Sequence, residues 1–123
     1  MLALACWWVS GNRIVEADVQ INSNVSWATS LAGCRFQPML GAVTTHEVGH
    51  SFGMGHVGEK KHGRLTMSSH IDGNCNNQES TLGLGDVLGL EKLYRDVTCQ
   101  DLGRAPRLPA DETSIRSGGL LHL

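Results

Sequence analysis

Residues 46–56 read His-Glu-Val-Gly-His-Ser-Phe-Gly-Met-Gly-His, and no other stretch constrains this chain as much. From Met39 to Phe52 the only breakers are Gly41 and Gly49, so a helix is predicted there, ended by Gly53, Gly55 and Gly58. Residues four apart on a helix stand on the same face. His46 and His50 can therefore offer ring nitrogens to a single ion without distorting the backbone. Glu47 lies beside that face. Gly53 must then turn the chain sharply, in a conformation easiest without a side chain, and the turn brings His56 back as a third ligand. Three neutral nitrogens suit Zn2+ and leave a fourth tetrahedral position open to water.

A water in that open position has its pKa lowered to about 7. Glu47 can take its proton, direct the attack on a peptide carbonyl and pass the proton to the leaving amine. Five fixed positions coincide by chance in a chain of this length on the order of once in 10^5 or less. A purely structural zinc fits poorly, because the motif holds no fourth protein ligand.

Ahead of the motif, Cys6 to Val9 form an apolar run and Ser10-Gly11-Asn12 a turn. Val15, Ala17, Val19 and Ile21 then alternate with Glu16, Asp18, Gln20 and Asn22. Strict alternation signals a half-buried strand, and Gly-Asn between two such runs reads as a hairpin. One of Trp7 and Trp8 should point inward and the other outward. Residues 23–38 and 57–66 read as loops, the latter solvated at Lys60, Lys61 and His62, and 71–80 is turn chemistry throughout. A second helix is expected from Leu84 to Tyr94, where Leu84, Val87, Leu88, Leu90, Leu93 and Tyr94 recur at helical spacing. Gly89 within it suggests close packing against a neighbour. Gly83-Leu84-Gly85 is no nucleotide loop, since Leu88 stands where the third glycine belongs.

The chain has 123 residues, enough for one small domain. No run approaches the roughly 20 apolar residues of a membrane-spanning helix. Ten basic and twelve acidic residues give a net charge of -2, so nothing electrostatic favours nucleic acid or an anionic membrane as partner. Cys6, Cys34, Cys75 and Cys99 form no C-x-x-C pair. Their even number favours two disulfides in an oxidising compartment, with three pairings open. A Cys34–Cys75 bridge, leaving Cys6 and Cys99, would tie the segment before the helix to the one after Met67. Asn24-Val25-Ser26 fits a glycosylation sequon. His62, His70 and His122 lack ligand spacing and are expected in solvent. Asp72, Asn74 and Asn76 could mimic part of a calcium loop, but without EF-hand spacing or its terminal Glu they read as a turn, and Ca2+ has no clear motif.

The extended histidine motif resembles that of the metzincin zinc endopeptidases. Their second hallmark, a methionine in a tight turn beneath the metal, has its counterpart in Gly63-Arg64-Leu65-Thr66-Met67-Ser68. Within that clan the chain is most similar to matrixin-like peptidases, especially secreted bacterial ones. Leu82 to Tyr94 resembles the matrixin C-terminal helix, and the likeness implies that Asp86 anchors the Met-turn region structurally. It also implies that Ser68 to Ile71 form part of the wall of the pocket for the residue after the scissile bond. Two departures set other branches aside: Ser69 replaces the tyrosine some metzincins use, and His56 replaces the aspartate of snapalysin-like enzymes.

The expected fold is α+β, with a metzincin-like mixed β-sheet, a long zinc-binding helix, a Met-turn and a C-terminal helix. Residues 1–97 would form a partial catalytic domain and 98–123 a loosely ordered tail. The expected function is a zinc endopeptidase with His46, His50 and His56 as ligands, Glu47 as general base and acid, and Gly53 and Met67 supporting the site. A protein or peptide would pair along the sheet's edge strand. The likeness implies secretion, with signal and propeptide missing from this sequence. The competing reading is a catalytically inactive zinc-binding module or fragment. Oligomeric state is not legible.

Overall fold

The computed structural model of the protein describes residues 1–71, 73–95 and 119–122. Strands β1 (Ala3–Ser10) and β2 (Arg13–Ile21) form an antiparallel hairpin, running from Ala3↔Ile21 to Ser10↔Arg13. Gly11 takes φ +63° in its turn, where glycine carries no Cβ penalty. Helix α1 (Leu40–Ser51) lies against the hairpin. A short helix α2 (Glu59–His62), a 3-10 turn (Gln78–Ser80) and helix α3 (Leu84–Leu93) follow. Strand β3 (Gly119–His122) pairs with the other edge of β1, giving the order β2-β1-β3.

The α+β architecture agrees with the sequence, and two expectations are corrected. All strand pairs in the sheet are antiparallel among the described residues, where a mixed sheet was expected; parallel pairing is confined to the isolated bridges Ala28↔Met39 and Val57↔Ser68. β2 is also more exposed than its alternation predicts. Trp8 pairs with Glu16 and Val9 with Ile14, so Val15 is the extra residue of a bulge and stands 47 % exposed. The bulge turns Ile14 inward instead, so that its Cδ1 stands 3.5 Å from where a Cβ on Gly53, at the end of α1, would lie. Residues 119–122 pair as a strand, and the other residues after Arg95, which make up most of the expected tail, lie outside the described ones.

The core is small. Ala3 of β1 meets Val43 of α1 and Ile71, with Leu2 and Trp27 against them; Ala28, Met39 and Ala42 form a second cluster beside Cys34. Helix α1 starts where the Ala28 carbonyl accepts the Leu40 N–H, at 2.9 Å, so its first orphan donor is satisfied by backbone and not by a side-chain cap. It ends in a Schellman motif: Gly53, at φ +87°, donates its N–H to the His50 carbonyl and Met54 donates to that of Gly49. That reversal sends residues 54–57 back beneath the helix.

Candidate metal centre

Two features of α1 put its chemistry inside the protein. Its inward stripe is Ala42, Val43, His46, Glu47, Gly49 and His50, so helical periodicity buries the polar residues with the small ones. The Schellman reversal then brings His56 opposite them. The His46, His50 and His56 Nε2 atoms form a triangle with sides of 2.9, 3.1 and 3.2 Å. Nitrogens bound to one tetrahedral zinc at 2.0–2.1 Å stand about 3.3–3.4 Å apart. The triangle is close to that size.

Backbone carbonyls fix the protonation of two of these rings. His46 Nδ1 lies 2.6 Å from the Thr66 carbonyl oxygen and His50 Nδ1 lies 2.7 Å from that of Met54. A carbonyl only accepts, so each Nδ1 carries the hydrogen. In the neutral rings, Nε2 then presents a lone pair toward the centre of the triangle. Burial holds His46 down at about 4 and also lowers His50, which keeps both neutral and ready to ligate at pH 7. Converging lone pairs repel one another unless a cation lies between them. The donor set thus fits Zn2+.

Glu47 completes the argument. Its side chain is fully buried, and neither carboxylate oxygen has a hydrogen-bond partner among the described residues. Burial raises its carboxyl to about 7. An orphaned carboxylate is costly to bury, so it needs a cation or a donor nearby. The histidine triangle beside it supplies the place for both.

The turn beneath the centre is built from backbone. Ser68 donates its N–H to Leu65, at 2.9 Å, closing a tight turn around Thr66 and Met67. Thr66 thereby aims its carbonyl at His46, while the Met67 carbonyl accepts the Val57 N–H at 2.8 Å. Met67 is buried directly under Gly49, where an added Cβ would overlap its Sδ and come within 3.1 Å of its Cε. Asp86 is buried and accepts the Gly83 N–H at 2.7 Å, closing the first turn of α3. It lines a cleft of about 570 Å3 together with Gly53, Met54, Val57 and Met67. Its observed bond is to its own helix, and its charge favours the protonated form of His46.

Other residues fall as follows. Ser69 lines a cavity with Val57, Gly58 and Lys60, whereas Ser68 is buried and Ile71 turns into the core. His62 and His70 are exposed, and Asp72 lies outside the described residues. Cys34 and Cys75 are joined, with Cα atoms 5.9 Å apart. Cys6 is a free thiol, and Cys99 lies outside the described residues. Trp7 is the inward member of its pair, its ring 6.4 Å from that of His50.

Sequence reasoning missed the Thr66 and Met54 carbonyls, because a backbone acceptor leaves no mark in residue type. Trp7 against His50 could have been anticipated from the inward parity of β1, had the register been known.

The profile of the matrixin family (peptidase family M10) matches residues 2–95. No curated protein and no solved structure gave a match.

Proposed function

Because this chain belongs to the matrixin family, we propose that it is a secreted zinc-dependent endopeptidase whose ligands are His46, His50 and His56 and whose general base is Glu47. The observation that carries the proposal is the juxtaposition of three convergent imidazole nitrogens with a buried carboxylate that has no partner among the described residues. Zinc held by the histidines supplies an acidified water and an electrophile for the scissile carbonyl.

The protein's residues do the rest. Thr66 and Met54 carbonyls hold His46 and His50 in the ligating tautomer, an arrangement that also raises ligand basicity. Glu47 removes a proton from the attacking water and delivers it to the departing amine nitrogen. A carboxyl raised to about 7 is matched to both transfers near neutral pH. Met67 and Gly49 fix the floor under the rings. The Cys34–Cys75 bridge agrees with folding in an oxidising compartment.

The test is hydrolysis of unfolded casein by the purified chain, with and without 1,10-phenanthroline, beside a Glu47→Gln variant. Hydrolysis lost in both controls supports the enzyme. One bound zinc per chain with no hydrolysis at any substrate level overturns it.

A further inference from the structure

Strand β1 has one edge paired to β2, and the other carries β3. The second ladder is antiparallel, in the register Leu4↔His122, Ala5↔Leu121, Cys6↔Leu120 and Trp7↔Gly119. It therefore ends opposite Trp7, whose ring lies against His50. A strand added to a sheet sits about 4.8 Å from its neighbour. A peptide on this edge of β1 thus lies one strand spacing from the strand that touches a proposed zinc ligand.

We infer that residues 119–122 occupy, within the same chain, the edge of β1 on which an extended peptide substrate would pair beside the histidine centre, so that the protein carries its own competitor for its site. The inference rests on the peptidase reading above, because only an enzyme that binds extended peptide gives that edge a substrate. Two observations and one general rule converge on it. The edge beside β2 is already filled, so a peptide that pairs with β1 has only the edge β3 holds. Main-chain pairing is how a sheet edge captures an extended peptide, with little demand on side-chain identity. Finally, Ser117-Gly118-Gly119-Leu120-Leu121-His122-Leu123 contains no proline, lysine, arginine or acid, the residues that guard an edge against pairing.

Competition within one chain is a concentration effect. A tethered segment experiences an effective concentration of about 1 mM. If the free segment binds the edge with a Kd of about 0.1 mM, tethering suppresses binding of a rival peptide roughly tenfold. The expected signature is a rise in KM with little change in kcat.

The experiment uses the full zinc-loaded chain and a Leu120→Pro/Leu121→Pro variant, which removes both central N–H groups of β3 whichever of them faces β1. Ala110→Pro serves as a control. Three quantities are read: hydrogen exchange of the Leu4–Trp7 amides, anisotropy of a labelled synthetic peptide of residues 116–123 added in trans, and kcat/KM on a fluorogenic peptide. The expected result for the double variant alone is at least tenfold faster exchange at β1 amides that face β3. Peptide binding should be about tenfold tighter and KM about tenfold lower. Unchanged exchange and binding overturn the inference, and so does faster exchange with unchanged peptide affinity. If exchange and binding change as expected while no protein hydrolyses any substrate, edge occupancy stands and it is the peptidase reading that fails.

Discussion

Helices α1 and α3 are of similar length, yet the polar one is buried and the leucine-rich one is exposed. α1 turns two histidines and a glutamate into the interior, whereas α3 leaves Leu84 75 %, Leu88 55 % and Leu93 54 % exposed and buries Asp86. Apolar periodicity marks α3 as a helix, then, but not as a core element. Its C-terminal end is tied to the residue that follows α1, while its first turn is closed from within. Asp86 closes its first turn, and the Tyr94 hydroxyl donates to the Phe52 carbonyl at 2.9 Å, with the two rings edge to face. The buried polar face of α1 is costly in the metal-free protein, and a bound ion would offset that cost. One helix holds two of the three clustered histidines and the other braces the turn that follows it.

The largest effects should separate these two helices outright. His50→Ala removes one corner of the triangle, and bound zinc should fall from about one ion per chain to near zero by elemental analysis. Glu47→Gln should keep the metal and lower hydrolysis about 10^2- to 10^4-fold. On α3, Leu88→Ala should leave zinc content intact and stability within about 0.5 kcal/mol. Metal loss in that variant would erase the contrast.

The disulfide comes next. Cys34 packs beside the cluster at the start of α1, and its bridge spans 41 residues to Cys75. Chain-entropy reasoning puts the loss on replacing both cysteines by serine at about 4 kcal/mol. Urea titration of the double variant measures it. A loss below about 1 kcal/mol would show that the helix start is held by its backbone bridge to Ala28 alone.

Gly49→Ala probes the packing of α1 on the turn below it. The new Cβ would overlap Met67 Sδ and stand 3.0 Å from Met54 Cε, with both methionines committed to the floor of the centre. Overpacking of this kind costs about 1–3 kcal/mol. It should also weaken zinc binding, because Met54 and Met67 flank the carbonyls that orient the histidines. Thermal melts with and without zinc separate the two effects.

The pH dependence of the metal-free protein has opposing parts. His46, lowered to about 4, and His50, also lowered, are protonated first in the unfolded chain, so their contribution to stability is lost as pH falls below about 6.5. Glu47, raised to about 7, does the reverse: the folded state keeps a proton that the unfolded state releases near 4.5, so its contribution falls as pH rises from 4.5 to 7. Glu47→Gln removes that counter-slope. Between pH 6.5 and 4.5 the variant should therefore lose stability more steeply than the parent, by up to about 1.4 kcal/mol per pH unit. Equal slopes in chelator-treated samples would mean that Glu47 ionises as freely folded as unfolded.

The same contrast shows what the sequence could convey. The histidine positions were legible because helical spacing and one glycine turn determine them locally, and φ +87° at Gly53 is a property of the residue itself. The hairpin was legible for the same reason. β2 misled because its alternation says which residues share a face, and a bulge at Val15 breaks that parity with no mark in composition. The burial of α3 was equally hidden, since it depends on how much of the protein lies across from it. The pairing of 119–122 with β1 is long-range, and a Gly-Leu-Leu-His stretch carries no address.

The smallest effect concerns the second helix glycine that faces Met54. Gly89 suggested close packing against a neighbour, and that neighbour is Met54, whose Sδ an added Cβ would meet at 3.7 Å, an ordinary contact, with nothing nearer. Its backbone is helical and lies within α3, so alanine recovers helix propensity, about 1 kcal/mol, and adds a methyl against sulfur. Gly89→Ala should thus stabilise the protein by about 0.5–1 kcal/mol in urea titration, with zinc content unchanged. Two glycines on two helices flank one methionine, and their substitutions should have opposite signs. If Gly89→Ala destabilises instead, α3 packs on residues 52–54 more tightly than its exposed leucines imply, and it belongs with α1 as part of the core.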